Sequence, residues 1–299
     1  MKKLLSFLAM AILVIGLVAG CGKSADSGDQ KSGTIGFSVS TQNNPFFVSL
    51  KNGIEEQAKA LGLKVKIVDA QNDPAKQAND ISDLLESGVS VLIINPVDSA
   101  AISTSVEMAN GKNIPVITVD RSADKGTVVA HIASDNVKGG EMAAQLIVDK
   151  VGNAAKVGEL EGIPGASATR ERGQGFHNVA DQALTVVSKQ SADFDRTKGL
   201  NVATNMLQAN PDMQAIFAHN DEMALGAIQA AKSAGKDIFI VGFDGTADAE
   251  KAVQDGTLAA TIAQQPELMG KIAMDTAKKV IGGETVEANI PVDLKVVTK

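Results

Sequence analysis

Residues 91–121 read VLIINPVDSAAISTSVEMANGKNIPVITVDR. Two short apolar runs, Val91–Asn95 and Val116–Asp120, flank an amphipathic stretch at Ala100–Asn110. Runs rich in β-branched residues with a helical crossover between them predict parallel strands in a sheet covered on both faces. The same alternation continues in both directions. Strands are predicted at Thr34–Ser40, Val65–Asp69, Lys156–Glu161, Val186–Lys189, Ala215–His219, Phe239–Phe243 and Ala259–Ala263. Helical patterns fall at Phe46–Leu61, Ala75–Ser87, Gly139–Val151, Ser167–Gln182, Lys198–Ala209, Glu222–Ala234 and Pro266–Ile281. The chain has 299 residues, which exceeds the usual single-domain length of roughly 100 to 200. About four strand–helix units precede Ala133 and another four to five follow it, so the α/β architecture expected is two Rossmann-like lobes with parallel sheets. The segment VVAHIASDN, Val128–Asn136, leads from the first set of units into the second and is a candidate hinge.

Composition narrows the function classes. The formal net charge is −7, which gives no footprint for a polyanion such as nucleic acid. A single Cys excludes an internal disulfide and a Cys-rich zinc site. The aromatic residues are nine Phe with no Trp and no Tyr. The core must therefore be packed by aliphatic side chains, and the position of each Phe becomes informative.

The N-terminus reads MKKLLSFLAMAILVIGLVAGC over residues 1–21. Lys2 and Lys3, an apolar run from Leu4 to Ala19 and small residues at its end describe a secretory signal peptide over residues 1–20. The sequence LVAGC resembles the lipobox of bacterial lipoproteins, in which the chain is cut before a Cys that carries the lipid. That resemblance implies that Cys21 is a lipid anchor and that residues 21–32, polar and without apolar periodicity, are a flexible tether. The expected location is the outer face of the cell membrane, on the periplasmic side in a Gram-negative cell.

In open parallel sheets ligands sit at the carboxyl ends of strands, so the residues just past each strand are the ones to read. The first strand is followed by STQNNPFF, with Ser40, Asn44, Phe46 and Phe47. Asp120 and Arg121 follow the fourth, and Arg172 lies beyond the fifth. Later strands lead into Asn220, into Phe243 and Asp244, and into Gln264. Taken singly, each has a structural explanation: Phe46 and Phe47 as a helix turn on the core, Asn220 as a helix cap, Gly242–Gly245 as a turn. Together they suit a neutral polyhydroxylated ligand, because Asp, Asn, Gln and Arg each offer paired hydrogen bonds and Phe packs on C–H faces. Two Asp and two Arg pointing inward would cancel, which argues against a phosphate.

The segments STQNNPFFVSLKNG, INPVDSAA, NIPVITVDR, ATRERGQGF, ADFDRTKGLN, NDEMALGA, VGFDGT and DGTLAATIAQ resemble those of bacterial ribose-binding proteins of the periplasmic sugar-binding superfamily. The resemblance runs from about Thr34 to Lys299. It implies two lobes, 33–134 plus 265–293 and 135–264 plus 294–299, with hinge crossings near Ser134, Gln264 and Asp293. Carried over by position, the sugar ligands correspond to Asn44, Phe46, Phe47, Asp120, Arg121, Arg172, Phe194, Asn220, Phe243, Asp244 and Gln264. Ser40, Asn95 and His219 fall behind them, with His219 standing where relatives carry Gln. The implied function is the substrate-binding lipoprotein of an ABC sugar importer. It would close on D-ribose, deliver it to a membrane permease, act as a monomer and need no cofactor, metal or nucleic acid. Other readings are a binder of a different monosaccharide or furanose-derived signal serving a chemoreceptor, or an α/β enzyme acting on sugars. Against an enzyme, the chain lacks G-x-G-x-x-G after a strand, G-x-S-x-G and G-x-x-x-x-G-K-[ST], and its three His lack metal-ligand spacing.

Overall fold

The computed structural model describes residues 33–299, so the leader, Cys21 and the tether lie outside the described residues. The first part of the chain runs β1 (Thr34–Val39), α1 (Pro45–Leu61), β2 (Lys64–Asp69), α2 (Pro74–Glu86), β3 (Val91–Ile94), α3 (Ser103–Gly111), β4 (Val116–Val119) and β5 (Ala130–Ala133). The second continues α4 (Asn136–Val151), β6 (Lys156–Glu161), α5 (Ser167–Ala183), β7 (Thr185–Ser191), α6 (Arg196–Ala209), β8 (Ala215–Ala218), α7 (Asp221–Ser233), β9 (Phe239–Asp244), α8 (Ala247–Asp255) and β10 (Ala260–Ala263). Last come α9 (Pro266–Ile281), β11 (Asn289–Pro291) and β12 (Lys295–Thr298).

The strands form two sheets, ordered β2-β1-β3-β4-β5-β11 and β7-β6-β8-β9-β10-β12. Every pairing is parallel except β10 with β12. Each sheet thus repeats one doubly wound order, in which the chain reverses direction between its first and third strands and opens a crevice at their carboxyl ends. The chain passes between lobes three times: from β5 to α4, from β10 to α9, and from β11 to β12. Of the stretch Val128–Asn136 expected as a hinge, the middle is strand β5, and only Ser134 and Asp135 separate it from α4. The sequence reading also passed over α8, β11 and β12.

Each sheet is sandwiched by helices, as continuous apolar strands require. In the first lobe, α1 and α9 cover one face with Leu50, Ile54, Met269 and Met274, and α2 and α3 cover the other with Ile81, Leu84 and Val106. In the second, α4 and α5 bury Phe176 and Ile147 on one face, and α6, α7 and α8 bury Met206, Met223 and Val253 on the other. Caps fix where these helices start. Asn44, Asp73, Asp135, Asp195 and Asn220 each accept a backbone N–H of the following turn, with Pro45 and Pro74 preset for the first helical position. Among the described residues no helix is long and apolar enough to cross a membrane.

Candidate functional site: a closed cavity between two lobes

The wall from the first lobe starts at Asn44. Its Oδ1 accepts the Phe46 N–H at 2.9 Å and caps α1. That cap holds Phe46 and Phe47 at the helix start, edge to face with centroids 5.2 Å apart. Past β4 the backbone turns left-handed at Asp120, with φ 66°. This conformation is uncommon outside glycine and is held here by its surroundings. Asn95 Nδ2 donates to Asp120 Oδ2 and to the Val119 carbonyl, each at 3.1 Å, while Asn95 Oδ1 accepts from Ser40 N at 3.2 Å. Asn95 is thus the brace that aims Asp120. Arg121 donates to the Pro96 carbonyl at 3.2 Å, and its Nε lies 3.6 Å from Asp120 Oδ2.

The second lobe builds its wall around Arg172 on α5. Arg172 Nε donates to Asn136 Oδ1 at 2.9 Å and Nη1 to the His219 carbonyl at 2.6 Å. Asp244 Oδ1 lies 3.6 Å from Nη1 and accepts from Gln264 Nε2 at 2.9 Å. The Phe243 ring lies 3.8 Å beneath the guanidinium, close enough for a cation–π contact. Phe194 occupies the loop before α6 with φ 60°, and Asn220 Nδ2 donates to its carbonyl at 3.3 Å. The Arg121 guanidinium of the first lobe is 5.0 Å from the Phe47 ring and 5.1 Å from the Phe194 ring of the second.

Between these walls lies a small cavity. Asn44, Phe46, Phe47, Asp120, Arg121, Ala168, Arg172, Phe194, Asn220 and Asp244 line it. Phe243 and Gln264, expected among the ligands, stand behind this lining. Phe243 is fully buried between Arg172 and α4, where a Cβ on Gly139 would meet its ring at 2.5 Å. Gln264 is held by Asp244. Ser40 and Asn95 are fully buried behind Asp120. His219 is fully buried as well, its ring Nε2 2.9 Å from Glu159 Oε1 and its own carbonyl accepting Arg172. The sequence reading missed Ala168, Asn136 and Glu159.

The cavity's ion pairs are out of water: Asp120, Arg121 and Arg172 are each 3% exposed and Asp244 is 5% exposed. Burial raises the Asp244 pKa well above the ordinary carboxylate range, against the pull of Arg172. Burial also lowers that of Arg121, offset in part by Asp120. The formal charges of the four cancel, so the cavity accommodates a neutral guest without stranding a charge. Arg121 Nε, on a residue of the lining, is buried and makes no protein hydrogen bond, which leaves one donor for a polar guest. No cluster of metal-ligating side chains occurs among the described residues.

The family model for the periplasmic binding protein domain matches residues 35–285. The chain is 62% identical over 277 residues to the ribose import binding protein RbsB of Bacillus subtilis (strain 168), covering 93% of this chain and 91% of that protein. It is 57% identical over 268 residues to the protein of the same name from Escherichia coli (strain K12), covering 89% and 90%. Among solved structures, an ABC transporter solute binding protein of Mycobacterium smegmatis with bound glycerol superimposes with a TM-score of 0.86 at 35% identity, covering 90% of this chain and 94% of that one. Two doubly wound lobes around a buried polar cavity, and a family match across most of the chain, place this protein in the periplasmic binding protein family.

Proposed function

We propose that this protein is the extracytoplasmic substrate-binding component of an ABC importer that captures D-ribose between its lobes and hands it to the permease. The carrying observation is the cavity itself: small, closed, and lined by charges that cancel, two amide side chains and three Phe rings. A pentose offers hydroxyls that both donate and accept, matching Asp, Asn and Arg, and C–H faces that match the rings. The high identity to ribose import binding proteins supports ribose over other sugars. Phe46, Phe47 and Phe194 pack the ring, Asn44, Asp120, Arg121, Arg172, Asn220 and Asp244 bond the hydroxyls, and Phe243 and Gln264 act through Arg172 and Asp244. The lobes are 33–134 plus 265–293 and 135–264 plus 294–299, rotating about the three passages.

Contacts to both lobes exist only when the lobes are closed, so sugar shifts the open–closed equilibrium by its differential affinity. Turning a mostly open population into a mostly closed one takes about 5.5 kcal/mol, within reach of several charge-assisted hydrogen bonds. No bond of the sugar is broken. Cys21 carries the lipid that holds the body at the membrane, with 22–32 as tether.

Calorimetric titration with D-ribose, D-allose, D-xylose, D-galactose and D-glucose, with recovery of the sugar afterwards, tests this reading. Tight binding of ribose, recovered unchanged, is expected. A hexose that binds while ribose gives no heat overturns the sugar, and turnover overturns the class. Cys21→Ser should release the protein from the membrane fraction with sugar binding intact.

A further inference from the structure

Helix α5 begins with Ser167 after Ala166, a residue whose side chain cannot cap it. The first N–H groups of a helix lack intrahelical partners and need one from elsewhere. Here Ser167 N donates at 3.1 Å to the hydroxyl of Ser99, which belongs to the other lobe, in the loop between β3 and α3. The reverse contact is made as well. The Ser167 hydroxyl accepts the Ser122 N–H at 2.9 Å, just past Arg121 in the first lobe. A third bond runs from Ser99 N to the Gly165 carbonyl at 2.9 Å. At the outer edge Arg170 Nη2 meets Asp124 Oδ1 at 3.0 Å.

These bonds are made entirely by protein atoms, and both inner serines are out of water: Ser99 is fully buried and Ser167 is 2% exposed. Ala168, the next residue, lines the cavity. We propose that Ser99 and Ser167 form a reciprocal cap across the cleft, positioning residues that touch no sugar yet set its affinity by stabilising the closed form. This rests on the reading that sugar capture is lobe closure. When the lobes part, the Ser167 and Ser122 N–H groups pass to water. On closing, each finds a serine oxygen: Ser167 N in a dry setting, where a hydrogen bond is worth more, and Ser122 N in a half-buried one. The cap therefore adds to closure a contribution independent of the sugar, and it seats the α5 turn that carries Ala168 and Arg172.

Gly165 belongs to the same device. A Cβ there would stand 1.8 Å from Asp98 Oδ2 across the cleft. Asp98 cannot readily swing aside, because its Oδ1 accepts from Ala100 N at 2.9 Å and Ala101 N at 2.8 Å. Gly165→Ala therefore obstructs the closed form and leaves each lobe by itself unchanged.

The test combines D-ribose titration, dissociation kinetics, thermal melts and the distance between a dye pair with one dye on each lobe. Ser99→Ala and Ser167→Ala should each weaken ribose about fivefold, the usual effect of deleting a serine cap. The loss should appear as faster dissociation and a larger open fraction at subsaturating sugar, with the melt of the sugar-free protein little changed. Ser167→Thr, which keeps the hydroxyl, should recover most of the affinity. Gly165→Ala should weaken ribose by about fivefold or more by the same route, and serves as the independent variant should a serine substitution disturb folding. Arg170→Ala, at an exposed pair, should cost less than about twofold. Wild-type affinity and closure in Ser99→Ala, Ser167→Ala and Gly165→Ala would overturn the cap. If wild type fails to close on ribose, the proposed sugar is wrong, and the same variants are read with whichever sugar of the panel closes it. If no sugar closes wild type, the reading of function falls and the cap with it.

Discussion

Arg172 reaches Asn136, the His219 carbonyl, Asp244 and the Phe243 ring from a single side chain. A planar fork can do this and an ammonium cannot. Arg172→Lys is therefore expected to weaken sugar binding at least about tenfold with a modest change in melting temperature. Arg172→Ala should also cost stability, because Asp244 stays buried without its cation, a loss of about 3 to 5 kcal/mol; titration and thermal melts separate the two effects. A second titrating cluster sits behind the site. His177 Nε2 is 3.0 Å from Glu159 Oε2 and its Nδ1 is 2.7 Å from Asp181 Oδ1, so only the doubly protonated ring donates to both. Burial opposes charging His177, but the bonds and charges of Asp181 and Glu159 raise its pKa. Burial likewise opposes ionising Glu159, and the bond from His219 and the nearby cations outweigh it, lowering its pKa. The His177 contribution to stability is complete below about 6.5 and lost as pH rises through the raised value. That of Glu159 is present above about 4.3 and lost as pH falls through the lowered value. The melting-temperature difference between wild type and His177→Gln should therefore be largest near pH 5 to 6 and vanish at alkaline pH. At this scale the sequence was informative wherever a polar residue follows a strand, as with Asp120 and Asp244. It was silent on Ala168, which has no polar atom to notice. It was silent too on Glu159, whose one trace is an acid inside the apolar run KVGELE.

Helix pairs carry the site on closely approaching backbones. A Cβ on Gly140 of α4 would stand 2.2 Å from the Arg172 carbonyl and 2.7 Å from Phe176 N on α5. The same relation recurs where Gly53 of α1 meets the Glu267 carbonyl of α9, and where Gly226 of α7 meets the Arg196 carbonyl of α6. Backbone against backbone leaves nothing that can yield, so added volume separates the helices. Gly140→Ala should lower stability by about 1 to 3 kcal/mol in denaturant titration and also weaken sugar binding, because the displaced turn carries Arg172. Gly53→Ala, away from Arg172, should lower stability by a similar amount. The elements themselves were legible where β-branched runs are continuous, as in β3 and β4. Strand β5, reading AHIA, has one β-branched residue, and β11 is held by pairing with a strand far away in sequence. Neither leaves a local trace. Helix α8 spans only nine residues and buries just Ala249, Ala252 and Val253, shorter than the stretch over which a helical period is read.

For the whole molecule, two sheets of one strand order and three passages between them make closure the available large motion. Small-angle scattering should show the radius of gyration falling on addition of D-ribose, and falling less for Gly165→Ala at the same sugar concentration. No change for wild type at saturating sugar would count against hinged capture. The two-lobed plan was readable from length and alternation alone. That the second lobe's Phe194 faces the first lobe's Arg121 was not, because no local pattern encodes which loops meet across a cleft; family resemblance supplied Phe194.

The Arg121 guanidinium lies 5.0 Å from the Phe47 ring of its own lobe and 5.1 Å from the Phe194 ring of the opposite lobe, and separation of the lobes must break the second of these contacts. A sugar that left between these two groups would do so only after Arg121 had parted from the Phe194 ring. Its residence time there cannot be shorter than the waiting time for the lobes to separate, a motion of the microsecond-to-millisecond class. A permease that pries the lobes apart would thus set the tempo of delivery, whatever the affinity measured for the free protein.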